Sequence, residues 1–200
     1  MKLALMLFGI SYLEDYCNRR YKGSINYKRS LENYKKYIFE YFESKGYTID
    51  VYISTNEVSE EVKKQLIEDY RPIKIITNRF ITKKKKRFNV FKNRNFKFKN
   101  LINLIDNDNY YDNFLITRFD LLFQIDFKDV NIKLDKLNIV SILEKNKFIC
   151  DNFYLMSNVN FYNFKKIINN KGIFYNSHLL KKILENNFDI NYLFNEFKLV

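Results

Sequence analysis

Short apolar segments alternate with segments of helical periodicity through the first two thirds of the chain. The first apolar segment, Lys2–Phe8, is a continuous run that ends at Gly9, a pattern typical of a strand covered on both faces. Two further strands are predicted at Thr48–Ser54 and Ile73–Thr77, with helical patterns between them. Because parallel strands need a long crossover connection, this alternation favours a mostly parallel sheet with helices on both of its faces.

The other elements follow from the same two periodicities. Residues between Gly9 and Ser24 are polar and aromatic and are predicted to form a loop. Helical spacing predicts helices at Leu31–Ser44, closed by Gly46, at Ser59–Tyr70, capped by Ser59, and at Phe96–Ile105, Phe161–Ile168 and Ser177–Asn187. Further strands are predicted at Phe114–Thr117, Asn138–Leu143 and Phe148–Met156, the last two forming an antiparallel addition. With one proline and four glycines, the chain shows no linker, so we predict a single α/β domain over residues 1–200.

The formal net charge is +12, and much of it lies in one segment. Arg79–Lys99 contains ten Lys or Arg residues and no Asp or Glu. Three interpretations are open: a solvated loop, a surface that binds nucleic acid by charge and aromatic stacking, or a segment that covers a diphosphate or an anionic acceptor. Because no apolar run reaches the roughly 20 residues that a membrane-spanning helix needs, we expect no membrane span and a cytoplasmic location.

Three predicted strands end in polar loops, which begin at Phe8–Tyr12, Ile53–Asn56 and Thr117–Asp120. If these strands are parallel, their carboxyl ends face one crevice, the place where open α/β sheets bind ligands. Gly9 would let the backbone approach a ligand closely. The loops contain neither a glycine-rich dinucleotide fingerprint nor a Walker lysine, so these two phosphate-binding classes are not indicated.

Asp120 is the most informative carboxylate in the sequence. It directly follows a predicted buried strand and precedes the apolar segment Leu121–Phe123, where an unpaired charge is costly. One interpretation is an ion pair with Arg118, two residues earlier on the same side of the strand. The other is that Asp120 holds a divalent cation on a nucleotide diphosphate.

Asp151 and His178 are the other candidate site residues. Asp151 lies beside an apolar strand, and it is interpreted either as a residue that bonds local backbone amides or as a catalytic base for an acceptor hydroxyl. His178 is the only histidine and lies near a predicted helix start. It is either a surface residue or a ligand for a metal or a phosphate.

Several short segments occur in an order and spacing that are similar to those of a known family: Phe8–Gly9, Asp50–Asn56, Tyr111–Asp112, Thr117–Leu121 and Asp151–Tyr154. Together they resemble small GT-A-type glycosyltransferases of the kind encoded by large DNA viruses of algae and amoebae, including the N-terminal glycosyltransferase domain of chlorella viruses. The resemblance spans about residues 3–185, and it rests on the order of the segments rather than on any single one.

The resemblance implies a GT-A-like enzyme that moves a sugar from a nucleotide-sugar donor, a UDP-sugar by expectation, to a glycan, a glycoprotein or another hydroxyl acceptor. Phe8, Gly9 and Ile10 would match its nucleotide-binding first loop, and Thr55 would match a polar contact to the base or ribose. Asp151 would contact the acceptor or the sugar.

In this family an acidic Asp-x-Asp motif coordinates Mn²⁺ or Mg²⁺ on the diphosphate. Asp120 falls at its last acid, but Arg118 stands where the first acid is expected. The resemblance therefore leaves two arrangements open: a metal site with a single acid, to which His178 is a candidate addition, or a direct contact between Arg118 and phosphate. The missing acid also keeps open a degenerate transferase fold that acts as an interaction protein.

Overall fold

The computed structural model describes residues 1–17, 22–78, 86–106, 110–143, 148–149, 152–169 and 176–194. Its centre is a seven-stranded sheet. In spatial order the strands are β5 (Lys74–Asn78), β4 (Thr48–Asn56), β1 (Lys2–Phe8), β6 (Asn113–Arg118), β10 (Phe153–Ser157), β7 (Leu137–Ile139) and β11 (Ile190–Tyr192). The predicted α/β class and mostly parallel sheet are confirmed.

Strand β1 lies at the point where the order of the sheet reverses. It pairs in parallel with β4 on one side and with β6 on the other, so that Phe8 is in register with both Ser54 and Arg118. Strand β10 runs antiparallel to its two neighbours, and β7 and β11 pair in parallel at the far edge. The carboxyl ends of β1, β4, β5 and β6 therefore lie along one edge of the sheet, with the start of β10 beside them.

Helices cover both faces of the sheet, as predicted, but several bounds differ. They are α1 (Lys28–Tyr34), continued by a π-helical turn (Lys35–Phe39) and α2 (Glu40–Ser44), then α3 (Glu60–Tyr70), α4 (Lys86–Ile102), α5 (Asn158–Asn169) and α6 (Asn176–Glu185), together with a short 3₁₀ turn at Phe127–Asp129. The predicted caps at Ser59 and Gly46 are confirmed. Ser59 accepts a hydrogen bond from Val62 N at 3.3 Å, and Gly46 follows α2 with φ +79°.

Two apolar cores lie on opposite faces of the sheet because alternate side chains of each strand point to opposite sides. On one face α4, α5 and α6 pack on Ala4, Met6 and Phe8 of β1. On the other face α1, α2 and α3 pack on Leu3, Leu5 and Leu7. Since β1 is buried on both faces, its residues read as one continuous apolar run.

Two sequence predictions were wrong, and one strand was missed. The residues predicted as a loop between Gly9 and Ser24 include strand β2 (Tyr12–Cys17) and the start of strand β3 (Lys22–Asn26), whose sequences lack a regular apolar alternation. The predicted strands Asn138–Leu143 and Phe148–Met156 are each divided, with β8 (Ile142–Leu143) and β9 (Phe148–Ile149) forming a separate hairpin. Strand β11, only three residues long, was too short to be recognised.

Candidate functional site

The candidate site lies at the carboxyl ends of β1 and β6, where the strand order reverses. Phe119 N donates to Phe8 O at 3.1 Å, which joins the two strand ends. Gly9 follows with φ +118°, a conformation that favours glycine, while the space that a Cβ atom would occupy is open. The backbone conformation, not crowding, therefore requires glycine here, and Gly9 adds no side chain at this strand end.

Arg118 and Asp120 form a bidentate ion pair at this edge. Arg118 Nε donates to Asp120 Oδ1 at 2.7 Å, and Nη2 donates to Oδ2. Both side chains remain 29% exposed, so the pair is reached by solvent and is not part of the core. The third partner is Asn152, at the start of β10, whose Oδ1 accepts from Arg118 Nη1 at 3.3 Å. The ion-pair interpretation of Asp120 is confirmed, and it gives the guanidinium a fixed orientation at the carboxyl edge of the sheet.

Helix α1 holds the backbone beneath this pair. Tyr34 donates its hydroxyl proton to Arg118 O, and Ser30 Oγ donates to Phe119 O. Asn33 uses both ends of its amide on Phe123, with Nδ2 donating to the carbonyl and Oδ1 accepting from the N–H, each at 2.8 Å. Burial raises the pKa of Tyr34, and the nearby Tyr70 and Asp120 raise it further, so this phenol stays a neutral donor.

A buried polar network shapes the neighbouring ends of β1 and β4. Ser11 N donates to Thr55 Oγ1 at 3.0 Å and lies 3.2 Å from Asn56 Oδ1, and the Thr55 hydroxyl lies 3.1 Å from Gly9 O. Asn56 Nδ2 donates to Tyr12 O at 3.0 Å. Thr55 is fully buried, so in this conformation it shapes the loop after Gly9 rather than meeting a ligand directly.

Phe8 and Ile10 contribute differently to the same loop. The Phe8 side chain is buried and packs edge-on against Phe98 of α4, with ring centroids 5.0 Å apart, so only its backbone lies at the edge. Ile10 is half-buried. Phe8, Gly9 and Ile10 therefore lie at the carboxyl end of β1, where Phe8 offers its backbone while its side chain belongs to the core.

Thr55→Val is expected to lower the free energy of unfolding by about 1–3 kcal/mol, because the buried Ser11 N–H loses its shorter hydrogen bond while the side-chain volume is kept. Chemical denaturation measures this loss. The same exchange at the exposed Thr77 of β5 is the control and should change the stability by less than about 0.5 kcal/mol. Equal effects at the two positions would show that the network does not stabilise the loop.

The predicted divalent-cation site is not assembled by the described residues. Both carboxylate oxygens of Asp120 accept hydrogen bonds from Arg118. Within the described residues, no group of three or more His, Cys, Asp or Glu side chains is placed to hold a metal ion. Mn²⁺ or Mg²⁺ at Asp120 would have to share these oxygens with a guanidinium of like charge, and this repulsion opposes a cation in this arrangement. Asp151 and the side chain of His178 lie outside the described part of the chain.

The basic segment Arg79–Lys99 is described only in part. Residues 79–85 lie outside the described residues, as do the side chains at 86–93, and the backbone from Lys86 onward is helical. Lys97 points inward and is almost fully buried, and burial lowers its pKa to about 8. At least one of the ten positive residues therefore belongs to the interior rather than to a nucleic-acid-binding face.

An apolar cavity of about 310 Å³ lies beside the Arg118–Asp120 pair. Its walls are formed by the segment after Asp120, the 3₁₀ turn and the residues that follow it, the residue after β7, the start of β10 and the residues after β11. The lining residues are Leu121, Leu122, Phe123, Gln124, Ile125, Phe127, Val130, Ile132, Val140, Asn152, Phe153, Leu193 and Phe194. Asn152 thus belongs both to this cavity and to the hydrogen-bond network of Arg118.

Sequence reasoning missed the residues that support the site. Ser30, Asn33 and Tyr34 lie one helical turn apart on a face that packs toward the sheet, and polar atoms on such a face are a recognisable signal. Asn152 was part of a quoted motif, but nothing local showed that it would bond Arg118, 34 residues away.

No protein-family model matches this chain, and no curated protein matches it either. In the described residues, none of the helices combines the length and the apolar character that crossing a bilayer requires.

Proposed function

We propose that the protein is a nucleotide-sugar-dependent glycosyltransferase with a GT-A-like fold, which moves a sugar from a UDP-sugar to a hydroxyl of a glycan, a glycoprotein or another acceptor. The observation that carries the proposal is the Arg118–Asp120 pair at the reversal of strand order, beside the bare backbone turn at Gly9. Ligands of open α/β sheets bind at this point. The resemblance of the strand-end motifs to the glycosyltransferase family supplies the reaction.

Sugar transfer is favoured by a positive group near the diphosphate, because negative charge develops on the diphosphate as it leaves. In sugar transfer the bond between the anomeric carbon and the diphosphate oxygen breaks, the acceptor oxygen bonds to that carbon, and the acceptor proton passes to a base. We propose that Arg118 binds the diphosphate and that Asp120 orients the guanidinium, since bidentate hydrogen bonds fix its plane. Asp151, which directly precedes Asn152 in the sequence, is the proposed base.

Binding of a nucleotide is the first test. UDP at 100 times its dissociation constant is expected to stabilise the folded protein by about 2.7 kcal/mol, seen as a rise in Tm. The titration is run with UDP, UDP-glucose and AMP, each with and without Mn²⁺, so that metal dependence is measured in the same experiment. If neither UDP nor UDP-glucose raises Tm under either condition, the proposed UDP-sugar site does not exist.

A second candidate is a transferase fold without turnover that serves as an interaction protein. The specific observation in its favour is that Arg118 stands at the position of the expected first acid and engages both oxygens of Asp120. Stabilisation by UDP-sugars, combined with no release of UDP from any of them, would favour this candidate over the enzyme.

A further inference from the structure

From the cavity beside Arg118 and Asp120 we infer that the acceptor carries an apolar group: its reacting hydroxyl belongs to a molecule whose alkyl or aryl part occupies this cavity. The inference rests on the proposed function and specifies the class of acceptor. The volume of about 310 Å³ lies at the lower end of the range of about 300–1,000 Å³ found for small-molecule sites, which suits one hydrocarbon chain or a pair of rings.

The walls of the cavity determine what it can hold. Most lining side chains are aliphatic or aromatic, with the amides of Gln124 and Asn152 as the polar groups. Leu122 and Ile125 are 58% and 46% exposed. Such apolar surface gains free energy when a ligand removes it from water. The hydroxyl groups of a free sugar would find few hydrogen-bond partners on these walls. A purely polar acceptor therefore suits the cavity poorly.

The position of the cavity relates it to the proposed reaction. Leu121 of the lining directly follows Asp120, and Asn152 lines the cavity while its Oδ1 accepts from Arg118. A molecule with its apolar part in the cavity would therefore present its other end to the Arg118–Asp120 pair. On the opposite side of β1 the polar network of Ser11, Thr55 and Asn56 is buried and bonds within itself. The apolar cavity therefore suits the acceptor, while the charged pair beside it suits the polar donor.

The segment that forms the rim is held in place rather than left to fold around a ligand. Asn33 fixes the backbone of Phe123 through two hydrogen bonds. The Phe123 ring contacts those of Phe127 and Phe153, with centroid distances of 5.1 and 6.0 Å. Because the rim is already ordered, the protein loses little conformational entropy when a ligand binds. The affinity of the ligand therefore depends mainly on the apolar area that it buries.

The test measures binding of alkyl glucosides to the full chain by calorimetry, with no nucleotide present and below the micelle concentration of each compound. Methyl, butyl, hexyl and octyl β-D-glucopyranoside share one head group. We expect affinity to rise roughly two- to fourfold per added methylene, so that the octyl compound binds at least about tenfold more tightly than the butyl compound. Equal affinities along the series would overturn the inference.

Charged substitutions at the rim locate the binding. Ile125→Asp and Leu122→Asp are expected to weaken octyl glucoside binding about tenfold or more, because they place a carboxylate at the cavity mouth while both positions tolerate solvent. Val159→Asp on α5, at a residue 71% exposed outside the cavity lining, is the matched control and should bind as the unmodified protein does. Unchanged binding in both rim variants, or an equal loss in the control, would contradict the inference.

The same variants separate this inference from the proposed function. UDP titration of Ile125→Asp and Leu122→Asp should give the Tm rise of the unmodified protein. If UDP stabilises the protein but octyl glucoside does not bind, the acceptor inference fails alone. If octyl glucoside binds with the expected dependence on chain length but no nucleotide stabilises the protein, the cavity is an apolar site and the glycosyltransferase proposal fails.

Discussion

Asp120→Asn is expected to lower kcat/KM for sugar transfer at least about 100-fold, the loss typical when a preorganised electrostatic contact is removed from a reaction centre. Asparagine keeps the shape of the side chain but removes its negative charge, and its amide N–H groups face the donors of Arg118. The bidentate pair is lost, and the guanidinium no longer has a fixed plane. Release of UDP from the UDP-sugars that stabilise the protein measures the effect.

Two further variants test whether the loss of activity comes from the broken bidentate ion pair. Asp129→Asn makes the same chemical change at an exposed residue of the 3₁₀ turn and should keep the rate. Arg118→Lys keeps the charge but cannot form the bidentate pair, so it should approach the loss seen in Asp120→Asn. Full activity of Asp120→Asn, with unchanged Tm, would show that the pair only closes the strand end.

Phe114→Ala is expected to lower the free energy of unfolding by about 3–5 kcal/mol, the usual cost of deleting a buried phenyl ring. Phe114 and Phe161 are both fully buried, and their rings stack with centroids 3.7 Å apart and an interplanar angle of 5°. This contact joins β6 to α5, so the deleted ring leaves a cavity beneath the strand that carries Arg118. Chemical denaturation gives the loss directly, and Tm should fall by on the order of 10 °C.

The control is Phe96→Ala, the same substitution at a ring that is 58% exposed on α4. It should cost less than about 1 kcal/mol, since little apolar surface returns to water. A loss at Phe114 as small as that at Phe96 would mean that the stacked pair does not contribute to the core as the structure indicates.

The parts of the fold that were predictable are those with a local signal. A strand buried on both faces, such as β1, reads as a continuous apolar run, and α3 carries its own cap at Ser59. The hairpin β2–β3 was not predictable in this way, because its sequence lacks the apolar period of a buried strand. Nor was β11, whose three residues join the sheet through pairing with β7.

The candidate site likewise combines features with a local sequence signal and contacts between residues far apart in the chain. The strand-end position of Asp120 and its spacing from Arg118 are properties of the sequence, and both were recognised there as a possible ion pair. The hydrogen bond from Tyr34 to Arg118 O spans 84 residues, and that between Asn33 and Phe123 spans 90. No local period encodes such partners, since they depend on which helix packs on which strand.

The sequence by itself determined that this chain forms an α/β domain, that β1 lies inside it, and that polar loops follow its buried strands. These follow from hydrophobic periodicity, which each segment carries on its own. Only the tertiary structure decided that the strand order reverses at β1, that Arg118 engages both oxygens of Asp120, and that an apolar cavity adjoins them. Those features arise between segments far apart in the chain, where packing rather than local preference selects the partners.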